Sequence, residues 1–139
     1  MIPKNCQTSI GRSILIYLDT HVVVWFYTKT YSKLSQNSQQ LIQSNDLLIS
    51  PIVRLELSYL HQIGRVITDP VSQIMTDLSQ RIGLAVCTKP FDDVVTAANS
   101  MTWTRDPFDR IIAAHASLDN TVLVTRDRTI LANYAHAKW

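Results

Sequence analysis

Two aspartates lie three residues apart at the start of a predicted helix, in the stretch MTWTRDPFDRIIAAHA (residues 101–116). Asp106 precedes a proline, which is typical of a helix N-cap. Asp109 falls in the first turn, where negative charge favours the helix dipole, and it shares a helix face with the apolar residues that follow. Capping is the preferred interpretation of Asp106, whereas Asp109 is open to a second interpretation as a ligand of a metal ion.

Two more aspartates follow strand-like apolar runs. Asp19 comes directly after ILIYL, and Asp127 follows TVLVT after one residue. If the two strands are parallel neighbours, both carboxylates lie at the same edge of the sheet, which is where open α/β sheets bind ligands. Each residue is about equally well explained as a helix cap, because aspartate is common where a strand leads into a helix.

Glu56 is unusual because it lies on the apolar face of the helix predicted over residues 51–63. Its neighbours three and four positions away are mostly apolar. A carboxylate in such a place is rare unless it is paired or binds a metal ion. The alternatives are that its carboxylate extends to solvent or that it forms an ion pair with an arginine, such as Arg54 or Arg110.

Considered together, Asp19, Glu56, Asp109 and Asp127 come from distant segments and map to one end of one sheet. Two carboxylates about 5 Å apart repel each other by roughly 3 kcal/mol at an effective dielectric constant of 20. A divalent cation removes this repulsion, and all-oxygen ligation favours Mg²⁺ or Mn²⁺ over zinc. Such an ion can activate a water molecule to hydrolyse a phosphodiester bond.

The composition limits the other classes of function. The chain has 139 residues, 46% of them hydrophobic, and a formal charge of +2, which fits one globular domain that could bind a polyanion. Neither GxGxxG nor GxxxxGK[ST] occurs, and the four histidines lack HExxH spacing. A glycine-rich phosphate loop and a histidine zinc site are therefore disfavoured, and so is a nucleotide-binding doubly wound domain.

The chain reads as one domain over residues 14–139 after a flexible N-terminal extension, residues 1–13. The two cysteines show no CxxC pattern and favour a reduced, cytoplasmic protein. The early apolar run, residues 14–18, is too short for a membrane span. Strands are predicted at 14–18, 47–49, 84–88, 121–125 and 134–139. Helices are predicted at 20–27, 35–44, 51–63, 70–82, 91–100 and 107–118, with a helical turn after Asp127. This alternation predicts an α/β fold with a mostly parallel sheet and helices on both faces.

Four segments carry a family resemblance: LDTHVVVW (18–25), SPIVRLEL (50–57), RDPFDRIIAAHA (105–116) and LVTRD (123–127). In this order and spacing they resemble the PIN-domain family. The combination of RDPFDR with LVTRD is similar to the VapC toxin ribonucleases of bacterial toxin–antitoxin systems. The resemblance implies a three-layer α/β/α sandwich and a Mg²⁺-dependent endoribonuclease.

The resemblance also implies roles for individual residues. Asp19, Glu56, Asp109 and Asp127 match the family's acidic quartet. Asp19 and Asp109 are the candidates for direct contact with the metal ion. Glu56 and Asp127 are candidates for positioning water or a second ion, so that Asp127 also counts among the metal-binding residues.

Supporting positions and partners follow from the same resemblance. Asp106 matches a recurrent subfamily position, and Thr125 is either a hydrogen-bond donor to a carboxylate or metal-bound water or an ordinary strand residue. VapC-like toxins pair with a VapB-like antitoxin that covers the cleft, and they commonly form homodimers. RNA, an antitoxin and a second copy of the chain are therefore the expected partners.

Basic and aromatic side chains near the acids are weaker candidates for RNA contact. The basic candidates are Arg105, Arg110, Arg126 and Arg128, which could bind phosphates or form salt bridges with the acids. The salt bridge is preferred for Arg110. The aromatic candidates are Trp25, Phe26, Tyr27 and Trp103, which could stack on bases but are better explained as core or dimer-interface residues.

Two alternatives to a toxin ribonuclease remain. One is a PIN nuclease of RNA processing without a toxin role. The other is a non-catalytic binding module whose acidic residues only cap helices and pair with arginines. The small single domain and the RDPFDR motif favour the toxin, and the complete acidic quartet favours an enzyme.

Overall fold

The structure is a computed structural model that describes residues 14–64 and 67–139. The expected flexible extension, residues 1–13, lies outside the described residues. Within the described ranges, no helix is both long enough and apolar enough to cross a membrane.

Five parallel strands form the central sheet in the order β3-β2-β1-β4-β5. The strands are β1 (Leu15–Leu18), β2 (Asp46–Ile49), β3 (Ala85–Val86), β4 (Leu123–Val124) and β5 (Ala137–Lys138). Each lies within a predicted strand or extends it by one residue, and the outer strands are shorter than predicted. The central position of β1 places Asp19 in the middle of the carboxyl edge of the sheet.

Helices flank the sheet, so the predicted three-layer α/β/α fold is confirmed. They are α1 (Thr20–Tyr27), α2 (Gln36–Ser44), α3 (Pro51–Gln62), α4 (Val71–Ile82), α5 (Phe91–Asn99), α6 (Pro107–Ser117) and α7 (Arg128–Asn133). A 3₁₀ turn at Tyr31–Lys33 was not predicted. Helix α3 packs on α1, α4 and α6, and α5 packs on α6.

The core explains why the strands read as continuous apolar runs. The three central strands contribute residues that are at most 1% exposed on both faces of the sheet: Ile16, Tyr17, Leu18, Leu47, Leu48, Ile49, Leu123 and Val124. A strand buried on both faces cannot alternate apolar and polar residues, as a strand with one solvated face does.

Side-chain caps fix where three helices of the site begin. Asp19 accepts a hydrogen bond from the backbone N–H of the first residue of α1. Asp106 caps α6, and Asp127 caps α7. A fourth cap, Ser50, begins α3 immediately after β2, as predicted. These helices therefore start at the carboxyl edge of the sheet or beside it. Three of the acidic residues are their N-caps, Asp109 lies in the first turn of α6, and Glu56 lies one turn further along α3.

A polar pair inside the core joins α3 to α6. His115 is 1% exposed, and its Nδ1 lies 2.7 Å from the hydroxyl oxygen of Ser50. Its Nε2 has no hydrogen-bond partner in the described part of the chain. Burial, followed by the nearby charge of Lys89, lowers the pKa of His115 to about 4. The imidazole is therefore neutral in the folded protein at neutral pH.

We expect His115 to destabilise the fold as the pH falls from about 6.5 to 4. The unfolded chain takes up a proton near pH 6.5, whereas the folded chain does so only near pH 4, so acid favours the unfolded state in this window. The loss is at most about 3 kcal/mol at pH 4. Urea unfolding of the native chain and of His115→Leu across this pH range measures it. The stability difference between the two chains should shift steadily toward the variant in acid, and parallel pH profiles would contradict the expectation.

Candidate active site

Five carboxylates surround one open pocket of about 390 Å³. The pocket is lined by Asp19, His21, Trp25, Glu56, Asp106, Asp109, Arg126 and Asp127. The structure therefore brings together the four acidic residues that the sequence placed at one end of the sheet, and it adds Asp106. The burial, hydrogen bonds and neighbouring charges differ from one carboxylate to the next.

Asp19 is the buried centre of the site, with 6% of its surface exposed. Its Oδ1 accepts the backbone N–H of Thr20 at 2.7 Å, and its Oδ2 accepts the hydroxyl of Thr125 at 2.6 Å. Burial raises the pKa of Asp19 and the charge of Asp127 adds to the rise, while the two hydrogen bonds oppose it. Both carboxylate oxygens are thus held in fixed positions at the floor of the pocket.

Thr125 connects the two aspartates that follow neighbouring strands. Its buried hydroxyl donates to Asp19 and accepts the backbone N–H of Asp127 at 3.0 Å. Asp127 in turn accepts the N–H of Ile130 at 2.9 Å as the cap of α7. Of the two interpretations of Thr125, the structure shows the hydrogen bond to a carboxylate.

Glu56 extends from α3 into the pocket. Its Oε1 accepts a hydrogen bond from the hydroxyl of Thr20. Burial raises the pKa of Glu56, and the charges of Asp19 and Asp106 raise it further against the effect of the Thr20 bond. The residue is half-buried and lies beside the buried stripe of α3 rather than within it. The predicted apolar face is wrong at Tyr59, one turn further on, which is 49% exposed.

No arginine in the described ranges is paired with Glu56. Arg54 is exposed, and Nε of Arg110 donates to the carbonyl oxygen of Thr104 at 2.6 Å. The salt bridge preferred for Arg110 is therefore not formed. The ion pairs that the described residues do form, Arg81–Asp77 and Lys89–Asp119, do not line the pocket.

The pKa of Asp109 is raised by burial and by the charges of all the other carboxylates of the pocket. Burial, followed by the charges of Asp106, Asp19, Asp127 and Glu56, raises its pKa to about 7. Every other carboxylate of the pocket therefore acts on this one group. A carboxylate with such a pKa is held in an environment that favours a proton or a bound cation in its place.

Asp106 has the capping role that the sequence indicated. Its Oδ1 accepts the backbone N–H of Phe108 at 2.8 Å and that of Asp109 at 3.3 Å. The side chain is exposed at the rim of the pocket. It therefore fixes the first turn of α6, from which Asp109 projects, and adds negative charge to the site.

The donor set fits a hydrated divalent cation. Within residues 14–64 and 67–139, no three His, Cys, Asp or Glu side chains form a ready coordination shell. Mg²⁺ does not require one, because it keeps several of its waters and binds proteins through one or two carboxylates. The donors around the pocket are carboxylate oxygens. Burial and then the neighbouring negative charges raise the pKa values of Asp19, Glu56 and Asp109, and a bound cation would offset both effects.

Two lining or supporting residues were missed by the sequence analysis. Thr20 is fully buried and binds both Asp19 and Glu56, so it joins two of the acids. His21 is exposed in the pocket wall, and its charge lowers the pKa values of the same two acids. Thr20 follows the capping aspartate directly in LDT, and this adjacency is the signal that could have identified it.

Of the candidates for RNA contact, only Arg126 and Trp25 line the acidic pocket. Arg126 lines the pocket, whereas Arg105 and Arg128 are exposed but do not line it. Of the aromatic candidates, Phe26 is buried in the core, Trp103 packs against the core, and Trp25 lies in the pocket wall. The hydroxyl of Tyr27 bonds to Asp69 instead.

Comparison with solved structures supports the fold. The chain is similar to VapBC2 from Rickettsia felis bound to a promoter DNA fragment, with 20% identity, 91% of this chain and 99% of that chain covered, and a TM-score of 0.65. It is similar to a toxin–antitoxin complex from Klebsiella pneumoniae, with 15% identity, 89% and 96% coverage and a TM-score of 0.61. For VapBC-1 from nontypeable Haemophilus influenzae the values are 18%, 91%, 96% and 0.55.

The sequence itself identifies the family. A comparison with curated proteins gives no significant match. The family model described as PIN domain matches residues 16–137, which include the strands and helices that carry all five acids of the pocket. The resemblance predicted from the four motifs is thus confirmed, and the chain belongs to the PIN-domain family.

Proposed function

We propose that this chain is a Mg²⁺- or Mn²⁺-dependent endoribonuclease and the toxin of a toxin–antitoxin pair. The observation that carries the proposal is the convergence of five carboxylates on one pocket of a PIN domain, with the pKa of Asp109 raised to about 7. When bound, the ion would supply an activated water and stabilise the charge on the phosphorus that is attacked.

The roles of the acids follow from how each is held. Asp19 and Asp109 would hold the ion, because one is the buried floor of the pocket and the other experiences the charge of all the rest. Glu56 and Asp127 would orient water or a second ion. Thr20 and Thr125 restrict the carboxylates of Glu56 and Asp19 to single orientations through their hydroxyl groups.

RNA is the proposed substrate, and three arginines near the acids are its candidate contacts. Arg126 is the best placed, since it lines the pocket. Arg105 is exposed on the loop before α6. The guanidinium of Arg110 is tied to the Thr104 carbonyl through Nε, which leaves its terminal nitrogens to meet a phosphate.

Two protein partners are proposed with the RNA. The similar structures from Rickettsia felis and Haemophilus influenzae are VapBC complexes, which supports a VapB-like antitoxin for this chain. A homodimer is proposed from the family resemblance. A candidate surface for this dimer is an exposed apolar row on helix α3 and its C-cap, formed by Leu55, Tyr59 and Ile63 at intervals of four residues.

The non-catalytic alternative explains only part of the site. Asp19, Asp106 and Asp127 each accept backbone N–H groups at a helix start, so capping alone could account for them. Glu56 and Asp109 accept no such bond, and burial raises the pKa of both. Keeping these two partly buried carboxylates beside three others costs stability, which favours a role in binding a cation. A PIN nuclease of RNA processing would use the same chemistry and differs only in its biological partner.

A brief pulse of expression tests the proposal. Sequencing of RNA ends after the pulse should reveal new ends at a limited set of sites with the native chain and none with Asp109→Asn. Co-expression of the product of an adjacent small gene should suppress the cuts if the chain is a toxin. Unchanged RNA ends, or the same cuts with the variant, would refute the ribonuclease proposal.

A further inference from the structure

One flank of the acidic pocket is aromatic and basic. The ring of Trp25 has the Nζ of Lys33 at 5.9 Å and the Cζ of Arg126 at 6.0 Å from its centroid. The ring of Trp139 packs edge-on against Trp25 at 5.9 Å. We call these four residues the Trp25 platform. Both cations lie at the distance at which an aromatic ring attracts a positive charge.

The Trp25 platform lies on the β4–β5 side of the pocket. Arg126 directly precedes Asp127 after β4, and Trp139 follows β5 at the edge of the sheet. Glu56 instead comes from α3, which follows β2 on the other side of β1. Trp25 and Arg126 line the pocket itself, so the platform is continuous with the acidic site.

The positive charges of the platform are available to a ligand. Neither Lys33 nor Arg126 forms an ion pair with any residue in the ranges 14–64 and 67–139, whereas Arg81 and Lys89 both do. Both side chains are exposed, so they keep their hydration at little cost. The ring of Trp25 limits the positions of the two cations without neutralising them.

A polyanion that approaches the pocket needs positively charged side chains beside the carboxylates. Five carboxylates repel the phosphates on either side of the bond to be cut, and a bound cation balances charge only where it lies. The phosphates of neighbouring nucleotides must be neutralised by protein side chains. Arg126 lines the pocket beside the acids, and Lys33 lies over the same Trp25 ring as Arg126.

We propose that the Trp25 platform binds a backbone phosphate of a nucleotide adjacent to the cut bond, with Arg126 and Lys33 as its ligands and Trp25 as their support. This subsite rests on the proposed function, because it takes RNA as the ligand. An acidic protein segment is the competing ligand of the same charge, and the test includes it.

Equilibrium binding in EDTA tests the subsite without cleavage. The probe is a short fluorescent single-stranded RNA, followed by anisotropy over a range of salt concentrations. Arg126→Gln and Lys33→Gln should each weaken binding roughly fivefold and reduce the salt slope by about 0.7, the value for one lost phosphate contact on a single strand. Trp25→Leu should approach the loss of both contacts, and Trp25→Phe should retain part of the affinity.

A matched control removes a charge elsewhere. Arg54→Gln takes one exposed cation from α3, which does not line the pocket at that residue, and should leave both the affinity and the salt slope unchanged. With Mg²⁺ present, the platform variants should raise KM and change kcat little. That split separates a phosphate contact from general damage to the acidic site.

Three results would overturn the subsite. Native affinity and native salt slope in all platform variants would do so while leaving the ribonuclease proposal intact, provided that the native chain still cuts RNA. A poly-glutamate peptide that binds as tightly as RNA, with the same losses in the variants, would assign the platform to an acidic protein. No RNA binding by the native chain would overturn the subsite and count against RNA as the substrate.

Discussion

The Asp19→Asn variant is expected to cut RNA at least about a thousandfold more slowly than the native chain, with its fold retained. Removal of one group that stabilises the charge of a transition state costs about a hundred- to a thousandfold, and weaker binding of the ion that Asp19 would hold adds to this loss. Asparagine keeps the oxygen that accepts the Thr20 N–H, and the Thr125 hydroxyl can accept from its amide. The variant therefore loses negative charge without losing the cap of α1.

Initial rates on a labelled RNA, measured with circular dichroism of each protein, check this expectation. Asp92→Asn is the matched control, because Asp92 is exposed in the first turn of α5 and does not line the pocket. It should cut RNA at the native rate. A folded Asp19→Asn variant that keeps more than a tenth of the native rate would show that Asp19 does not hold the ion that drives the reaction.

The meeting of Asp19 and Asp127 was predictable because it depends on strand register. Each follows the end of a buried apolar run, and parallel strands place their carboxyl ends at one edge. The structure pairs Leu18 with Val124 across β1 and β4. The residues that come next, Asp19 and Thr125, are therefore adjacent, which brings them close enough for the hydrogen bond that the structure shows.

The link from Glu56 to the same centre was not predictable in this way. Periodicity indicated that Glu56 faces inward, but its hydrogen-bond partner depends on how α1 packs on α3. That partner, Thr20, lies 36 residues away in the sequence. The same limit applies to Arg110, whose charge suggested a carboxylate partner. It bonds instead to the carbonyl oxygen of Thr104, in a loop whose course the sequence does not reveal.

The positions of the capping aspartates were predictable, but the sequence did not show whether they cap helices, bind a ligand or do both. The sequence placed Asp106 before a proline, and the structure shows it bonded to two N–H groups of α6. Asp19 and Asp127 also cap helices while they line the pocket, so capping and ligand binding are not exclusive alternatives. A capping aspartate uses one oxygen for the helix, and its negative charge still acts on the pocket, as the raised pKa of Asp109 shows.

A divalent cation is expected to reverse the order of stability of the native chain and Asp109→Asn. The folded pKa of Asp109, about 7, exceeds the ordinary value of 3.8, so its contribution to stability falls as the pH rises from about 4 through 7. In EDTA at pH 8 the native site bears the full repulsion. The variant, which lacks this charge, should then be more stable by roughly 1 kcal/mol after allowance for solvent screening.

With Mn²⁺ at about a hundred times its dissociation constant, the native chain should gain about 2.7 kcal/mol, or roughly 10 °C in Tm, because the ion binds only the folded state. Asp109→Asn should gain far less, so the two melting curves exchange order when metal replaces EDTA. At pH 4 without metal, the advantage of the variant should disappear, because Asp109 is then protonated in the folded chain. Equal gains in both proteins would mean that the ion binds without Asp109. No gain in either would mean that the pocket does not bind a metal ion, which would remove the physical basis of the proposed chemistry.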